Sequence, residues 1–231
     1  MFDITPTEWT AILLSLRVAV IATLVATPFG IALAWLLARR DFWGKSVLDA
    51  LVHLPLVLPP VVTGYLLLLT FGRRGLVGAW LADHLGIVFA FRWTGAALAC
   101  GIMSFPLLVR PIRLSIEAVD RRLEQAASTL GAAPWRVFAT VTLPLALPGI
   151  LAGMVLGFAK AIGEFGATIT FVSNIPGETQ TISSAIYALI STPAGDAAAM
   201  RLVLISIAIA FAALIGAEWF ARRATQRLHG N

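Results

Sequence analysis

Long apolar runs dominate this chain, and short stretches between them carry most of the charges. A helix needs about 20 mostly apolar residues to cross the ~30 Å hydrocarbon core of a bilayer. Five segments meet this requirement, at residues 10–38, 48–72, 93–110, 148–172 and 200–221. The pattern therefore predicts an all-α integral membrane protein with five transmembrane helices, in a single domain over residues 1–231.

Two further segments, residues 72–92 and 173–199, mix glycines and polar residues with short apolar pieces. Neither contains an apolar run long enough for another span. We expect both to be interfacial or re-entrant.

Composition supports the membrane assignment. The chain is 59% hydrophobic and 13% charged, whereas about a quarter of the residues of a soluble domain are charged. Its net charge of +5 could indicate a nucleic-acid partner. However, the basic residues lie between apolar runs and not on one face of a domain, so we expect membrane lipid around the chain and no nucleic acid.

The distribution of basic residues predicts the orientation, because Lys and Arg are retained on the cytoplasmic side. If the amino terminus lies outside, the cytoplasmic segments contain eleven basic residues: Arg39, Arg40, Lys45, Arg110, Arg113, Arg121, Arg122, Arg136, Arg222, Arg223 and Arg227. The outer segments then contain three: Arg73, Arg74 and Arg92. The sequence thus predicts a periplasmic amino terminus and a cytoplasmic carboxyl terminus.

The long cytoplasmic segment at residues 117–147 has the local signals of two short helices joined by a turn. Asp120 is suited to cap the first helix, and Gly131 to end it in a left-handed turn. Pro134 is suited to the first turn of the second helix. The segment is therefore predicted to form a helix-turn-helix across the cytoplasmic mouth.

This segment resembles the signature loop of the permeases of ATP-binding-cassette importers. In that family, the sequence Glu-Ala-Ala is followed by three variable residues and then a Gly. A Leu-Pro pair comes later, with its Pro thirteen positions after the Gly. The residues at those offsets are Gln125, Ala126, Ala127, Gly131, Leu143 and Pro144. The departure is Gln125 in place of the usual Glu, with Glu124 one position earlier. The resemblance implies a coupling loop that docks on the ATPase subunit, with contacts from Glu124, Gln125, Ala126, Ala127, Leu130, Gly131, Leu143 and Pro144.

Three further segments are similar to the permeases of molybdate importers, and this likeness extends over nearly the whole chain. They are His53–Leu69, Gly72–Gly75 and Gly163–Ile182. Sulfate permeases share the Gly-Glu-Phe-Gly element at residues 163–166, so a sulfate or other oxyanion permease is the alternative. Tungstate is a further candidate substrate.

The resemblance implies the type I importer permease fold in the bacterial inner membrane. It also implies three kinds of partner: a second copy of this chain, two ATP-binding-cassette ATPase subunits, and a periplasmic oxyanion-binding protein. No cofactor or metal is expected in this chain, because ATP and Mg would be bound by the ATPase subunits.

Candidate path residues occur where the second span must bend. Pro59 and Pro60 remove helix hydrogen bonds, and Thr63 and Gly64 follow within one turn. Irregular backbone at membrane depth is tolerated where it is buried in protein or lines a cavity. A gate in the translocation path and a simple packing bend are both consistent with this pattern.

Lys160 and Glu164 lie one helical turn apart in the fourth span, where an unpaired charge is costly. They are predicted to pair, either as path-lining groups or as a structural ion pair. In the same span, Gly149, Gly153 and Gly157 form a stripe that favours close helix packing.

Motifs for catalysis are not found in the sequence. There is no GxxxxGK[ST] phosphate-binding loop, and no nucleophile with an adjacent base is evident. The chain is therefore predicted not to be an enzyme, and ATP hydrolysis is assigned to a separate subunit. The rival hypotheses are an ion-coupled secondary transporter, for which Glu164 would be the mid-span acid, and a membrane enzyme.

Overall fold

The computed structural model describes residues 4–193 and 195–228, with side chains described as far as Gly216. Within this part the chain forms twelve α-helices and one π-helical turn, Phe138–Thr142. The helices are α1 (Pro6–Arg39), α2 (Lys45–Val57), α3 (Pro60–Phe71), α4 (Leu76–Leu85), α5 (Trp93–Ala118), α6 (Arg121–Thr129), α7 (Pro134–Val137), α8 (Leu143–Leu145), α9 (Leu147–Ile162), α10 (Gly166–Val172), α11 (Ile182–Ile190) and α12 (Asp196–Leu228).

Helices α1, α5 and α9 form the centre of the fold, with α5 packed along the other two. The predicted glycine stripe of α9 lies against α5. A Cβ atom on Gly153 would lie 2.5 Å from the carbonyl oxygen of Leu108, and one on Gly149 would lie 2.6 Å from that of Pro111. Only glycine permits so close an approach, so the packing role predicted for this stripe is confirmed.

Three helices are unbroken and apolar enough to cross a membrane: α1, α5 and the Asp196–Gly216 part of α12. Counting two strongly bent helix pairs as one span each brings the total among the described residues to five.

The second predicted span, at residues 48–72, is not one helix. Helices α2 and α3 meet at an angle of 114° across Leu58 and Pro59, where the chain leaves the helical conformation. Two consecutive prolines cannot continue the hydrogen-bond ladder, so the predicted bend or break is confirmed.

The fourth predicted span, at residues 148–172, is also interrupted. Helix α9 ends at Ile162 and α10 begins at Gly166. A carboxylate oxygen of Glu164 accepts a hydrogen bond of 3.0 Å from the backbone N–H of Ala167, which satisfies a free donor at the start of α10. The helix that pairs with α9 is instead the one formed by Pro134–Leu145, at an angle of 69°.

The segments between spans contain short helices. Helix α4 has 10 residues and α11 has 9, well below the roughly 20 residues that a span requires. In their described parts, residues 72–92 and 173–199 therefore add no further span. Their re-entrant character stays a prediction.

Ion pairs show which ends of the helices lie together. At one end, Arg113 of α5 contacts Asp49 of α2 at 2.9 Å. At the other end, Glu8 of α1 accepts a hydrogen bond of 2.8 Å from Arg201 of α12. Segments that the charge distribution assigns to one side of the membrane are thus neighbours in the fold. The side chains of Arg222, Arg223 and Arg227 lie outside the described part.

Candidate functional site

The first candidate site is the loop at residues 117–147, and its backbone follows the predicted local signals. The Asp120 carboxylate caps α6 by accepting a hydrogen bond of 2.9 Å from the N–H of Arg122. Gly131 has a φ of +85°, the left-handed conformation that favours glycine. Pro134 occupies the first turn of α7. The predicted helix-turn-helix is therefore present.

Helix α6 has no buried residue, and its apolar side chains form a stripe that is exposed except at the half-buried Ala127. Leu123 is 49% exposed and Leu130 is 89% exposed, while Ala126 between them is also exposed. Trp135, which follows the turn, is 67% exposed. We call Leu123, Ala126, Ala127 and Leu130 the apolar stripe. An exposed apolar surface of this kind on an otherwise polar helix is typical of a protein interaction site.

The remaining predicted loop residues divide between surface and core. Gln125 is exposed and points to solvent, whereas Glu124 is half-buried. Leu143 packs against the apolar core formed by α1, α5 and α9. Pro144 is exposed in the short helix α8.

Glu124 makes contacts that the sequence analysis did not predict. Its Oε1 atom accepts hydrogen bonds from Arg39 Nε at 3.2 Å and from Thr142 Oγ1 at 2.5 Å. We call Arg39, Glu124 and Thr142 the Arg39 cluster. The sequence gives one signal for the Arg39 cluster: Glu124 lies one residue before the position at which the family usually has Glu.

The second candidate site lies where two interrupted helices meet. The start of α3 packs against α10, so that Gly166 faces Pro60 and Gly64 faces Ala167. We call residues 58–64 and 163–167 together the helix-break site. Its two halves are about 100 residues apart in sequence, and the structure brings them together.

Polar groups inside the helix-break site are largely buried. Thr63 and Gly64 are buried, whereas Pro59 and Pro60 are exposed. The Thr63 hydroxyl has no hydrogen-bond partner among the described residues. This hydroxyl is thus a free donor and acceptor at the junction of α3 with α10.

Lys160 and Glu164 form the predicted ion pair, with the Lys160 ammonium group bonded to Glu164 Oε2. The side chain of Glu164 is 1% exposed, and that of Lys160 is 29% exposed. The acid is therefore buried, and the base is partly exposed. Lys160 belongs to α9, and the same Glu164 carboxylate also bonds the N–H of Ala167 in α10, so the pair lies at the junction of these two helices.

Helix α9 separates the two sites. Its first residue, Leu147, is the last residue of the loop, and Lys160 lies near its other end, roughly 20 Å away by the rise of an α-helix. Helix α6 of the loop has no buried residue, whereas the helix-break site combines exposed prolines with the buried Thr63, Gly64 and Glu164.

A third feature is an apolar groove of about 650 Å³ between α1, α2 and α5. The groove is lined by residues such as Val25, Phe29, Leu51 and Trp93, and no lining residue is charged. A charged solute would gain no compensation there for its lost hydration. Among the described residues, no group of three or more His, Cys, Asp or Glu side chains could hold a metal ion.

Comparison with protein families identifies the chain. The model of a family described as "Binding-protein-dependent transport system inner membrane component" matches residues 26–226. The chain belongs to this family. Membership decides against the ion-coupled secondary transporter.

Two curated relatives match nearly the whole chain. One is the "Molybdenum transport system permease protein ModB" of Escherichia coli (strain K12), which is 62% identical over 224 residues, covering 97% of this chain and 98% of the relative. The protein of the same name from Haemophilus influenzae is 55% identical over 221 residues, covering 96% of each chain.

The fold also has a counterpart among solved structures. A chain in the crystal structure of a bacterial ABC transporter involved in the import of the acidic polysaccharide alginate matches with a TM-score of 0.75 at 19% identity. The match covers 96% of this chain and 82% of that chain. The predicted all-α importer permease fold is thereby confirmed.

Proposed function

We propose that this chain is the permease subunit of an ATP-driven importer that moves molybdate, and the similar dianion tungstate, from periplasm to cytoplasm. The near full-length identity to relatives described as molybdenum transport permeases supports the choice of anion. The observation that best supports an ATP-driven importer is the exposed apolar stripe of α6. A surface of this kind is typical of a protein interaction site, and we assign the partner as the subunit that drives transport.

The proposed assembly contains two copies of this chain, two ATPase subunits on the cytoplasmic loops, and a periplasmic oxyanion-binding protein on the opposite face. ATP and Mg are bound by the ATPase subunits and not by this chain. The amino terminus lies in the periplasm and the carboxyl terminus in the cytoplasm of a bacterial inner membrane. The excess of basic residues in the segments around Arg39 and Arg113, which adjoin the α6 loop in the fold, supports this orientation.

The coupling contacts are assigned to the apolar stripe together with Gln125, with Gly131 providing the turn. Glu124 holds the loop from inside, and Leu143 and Pro144 lead into α9. The exposure of Leu123, Gln125, Ala126 and Leu130, the partial burial of Glu124 and the positive φ of Gly131 support this assignment.

The translocation path is assigned to the helix-break site and to Lys160, which pairs with Glu164 of that site. A transported dianion must be released inward, so its path needs weak and transient contacts. Lys160 supplies a positive charge that Glu164 largely cancels, and Thr63 supplies an unpaired hydroxyl. Pro59, Pro60 and Gly64 form the bend where the path narrows. Such a path attracts an anion without holding it tightly.

Uptake into proteoliposomes tests this function. The permease is reconstituted with its ATPase and binding protein, and molybdate uptake is measured with tungstate and sulfate as competitors. We expect uptake that requires ATP and the binding protein, with strong competition by tungstate and weak competition by sulfate. Stronger competition by sulfate would assign the permease to sulfate, and uptake without ATP would refute the importer.

A further inference from the structure

Three separate elements converge on one oxygen atom of Glu124. Arg39 ends α1, Glu124 lies in α6, and Thr142 ends the π-helical turn that leads into α8. The Arg39 side chain is 8% exposed and that of Glu124 is 18% exposed. The pair is thus a mostly buried ion pair that joins segments 85 positions apart in sequence.

The Arg39 guanidinium also holds the end of α5. Its Nη2 atom donates a hydrogen bond of 3.0 Å to the carbonyl oxygen of Val119, at the position that terminates α5. Terminal helix carbonyls have no partner within their own helix, so this contact satisfies a group that would otherwise be free. One side chain of α1 therefore fixes both the end of α5 and the body of α6.

Aromatic packing adds a second contact between the same elements. The rings of Trp35 in α1 and Phe138 in the π-helical turn lie edge to face with centroids 6.0 Å apart. A π-helical turn is rare and often marks a functional position. The last turn of α1 is consequently held to the loop by both a charged and an apolar contact.

We propose that the Arg39 cluster is a positioning device that carries movement of the docked α6 into α1, and that Glu124 acts within this chain instead of contacting the ATPase. This inference rests on the proposed function, because it requires an ATPase subunit on α6. A buried charge pair is short-ranged and directional, so α6 cannot shift without displacing Arg39 or breaking the pair. Helix α1 in turn packs along α5 and α9, and α9 leads to Lys160.

The proposal makes Arg39 and Glu124 equivalent in function, although only Glu124 belongs to the loop. The test compares Arg39→Gln, Glu124→Gln and the double variant in the reconstituted complex. Arg40→Gln is the matched control, because it removes the same charge one residue later at an exposed position.

We expect each single variant to retain the bound ATPase subunit and its ATP hydrolysis. Molybdate taken up per ATP hydrolysed should fall roughly threefold to thirtyfold, the range of coupling through contiguous side-chain networks. The double variant should be no worse than either single variant, because both remove the same interaction. Arg40→Gln should match the wild type.

Two variants keep the test valid if the single variants misfold. The double variant leaves no unpaired buried charge. Thr142→Val removes one hydrogen bond to Glu124 without any change of charge, and should lower uptake per ATP in the same direction.

The proposal is overturned if Glu124→Gln loses the ATPase subunit while Arg39→Gln keeps it and transports normally, since Glu124 would then contact the partner. Wild-type uptake per ATP in all variants would also overturn it.

Amide hydrogen exchange of residues 34–40 separates this inference from the choice of substrate, because the exchange measurement requires a docked ATPase subunit but no anion. Docking of the ATPase subunit should slow amide exchange at residues 34–40 in the wild type and not in Arg39→Gln. Equal slowing in both proteins would refute the positioning role of the Arg39 cluster.

Discussion

The apolar stripe of the loop and the helix-break site place their unusual groups in opposite environments. The loop exposes leucines to solvent, with Leu130 at 89% exposure. The helix-break site buries polar groups in an apolar protein, with the Glu164 side chain at 1% exposure. An exposed apolar stripe gains stability only when a partner covers it, whereas a buried charge must be satisfied within its own chain.

Substitutions in the two regions should therefore be detected by different measurements. Changes at the helix-break site should lower the stability of the isolated permease. Changes in the apolar stripe should leave that stability intact and weaken binding of the ATPase subunit. Substitutions at Lys160, Gly64 and Ala126 should differ in this way, with a decreasing effect on stability.

The largest effect is expected from Lys160→Met. This change leaves the buried Glu164 carboxylate without its partner, and breaking a buried ion pair costs about 3–5 kcal/mol. Glu164→Gln should cost less, because the Lys160 side chain is 29% exposed and can reach polar surroundings. The measurement is the thermal unfolding temperature of the purified permease in detergent.

The double variant Lys160→Met with Glu164→Gln is the control, and it should recover much of the loss. Equal stability of all three variants, combined with equal loss of uptake, would show instead that the pair acts directly on the anion.

A smaller effect is expected from Gly64→Ala. The added Cβ atom would lie 2.5 Å from the carbonyl oxygen of Ala167, so α3 and α10 must move apart. Overpacking of this kind typically costs about 1–3 kcal/mol. The same change at Gly101 in α5 is the matched control, because its Cβ atom would meet nothing closer than 3.8 Å.

Gly101→Ala should be neutral or slightly stabilising, since alanine favours a helix by about 1 kcal/mol over glycine. Both variants are compared in the same detergent unfolding assay. If Gly64→Ala unfolds at the same temperature as Gly101→Ala, the close contact between α3 and α10 is not important for stability.

Much of the fold was predictable because its signals are local. Apolar length indicated the long helices α1, α5 and α12, and Asp120, Gly131 and Pro134 predicted the caps and turn of the loop. Consecutive prolines predicted the break after Leu58. Each of these effects acts within one helical turn, so a single sequence is sufficient to recognise it.

The long-range contacts of the two sites could not be predicted. Nothing local indicates that Arg39 reaches Glu124, since 85 positions separate them. The end of α9 at Ile162 was also missed, because the apolar run continues through residues 165–172 and masks the interruption. After the interruption, the Glu164 carboxylate bonds the backbone of α10 as well as Lys160. Sequence analysis predicted the ion pair correctly but not this second contact.

The smallest effect on stability is expected from Ala126→Glu, and this variant examines the other half of the contrast. Ala126 is exposed in the middle of the apolar stripe, so a carboxylate there remains solvated in the isolated permease. Its unfolding temperature should be nearly unchanged, because surface substitutions usually alter stability by no more than about 0.5 kcal/mol. In the complex, the same carboxylate would be buried without a partner, which weakens binding roughly thirtyfold or more. The measurement is the amount of ATPase subunit retained on immobilised permease, together with uptake into proteoliposomes.

Ser128→Glu is the matched control, because it adds the same charge to an exposed position of α6 outside the stripe. Retention of the ATPase subunit should fall for Ala126→Glu and stay near the wild-type level for Ser128→Glu. Equal retention by the two variants would mean that the stripe is not the docking surface, and a loss of stability in Ala126→Glu would mean that the stripe is already covered within the permease itself.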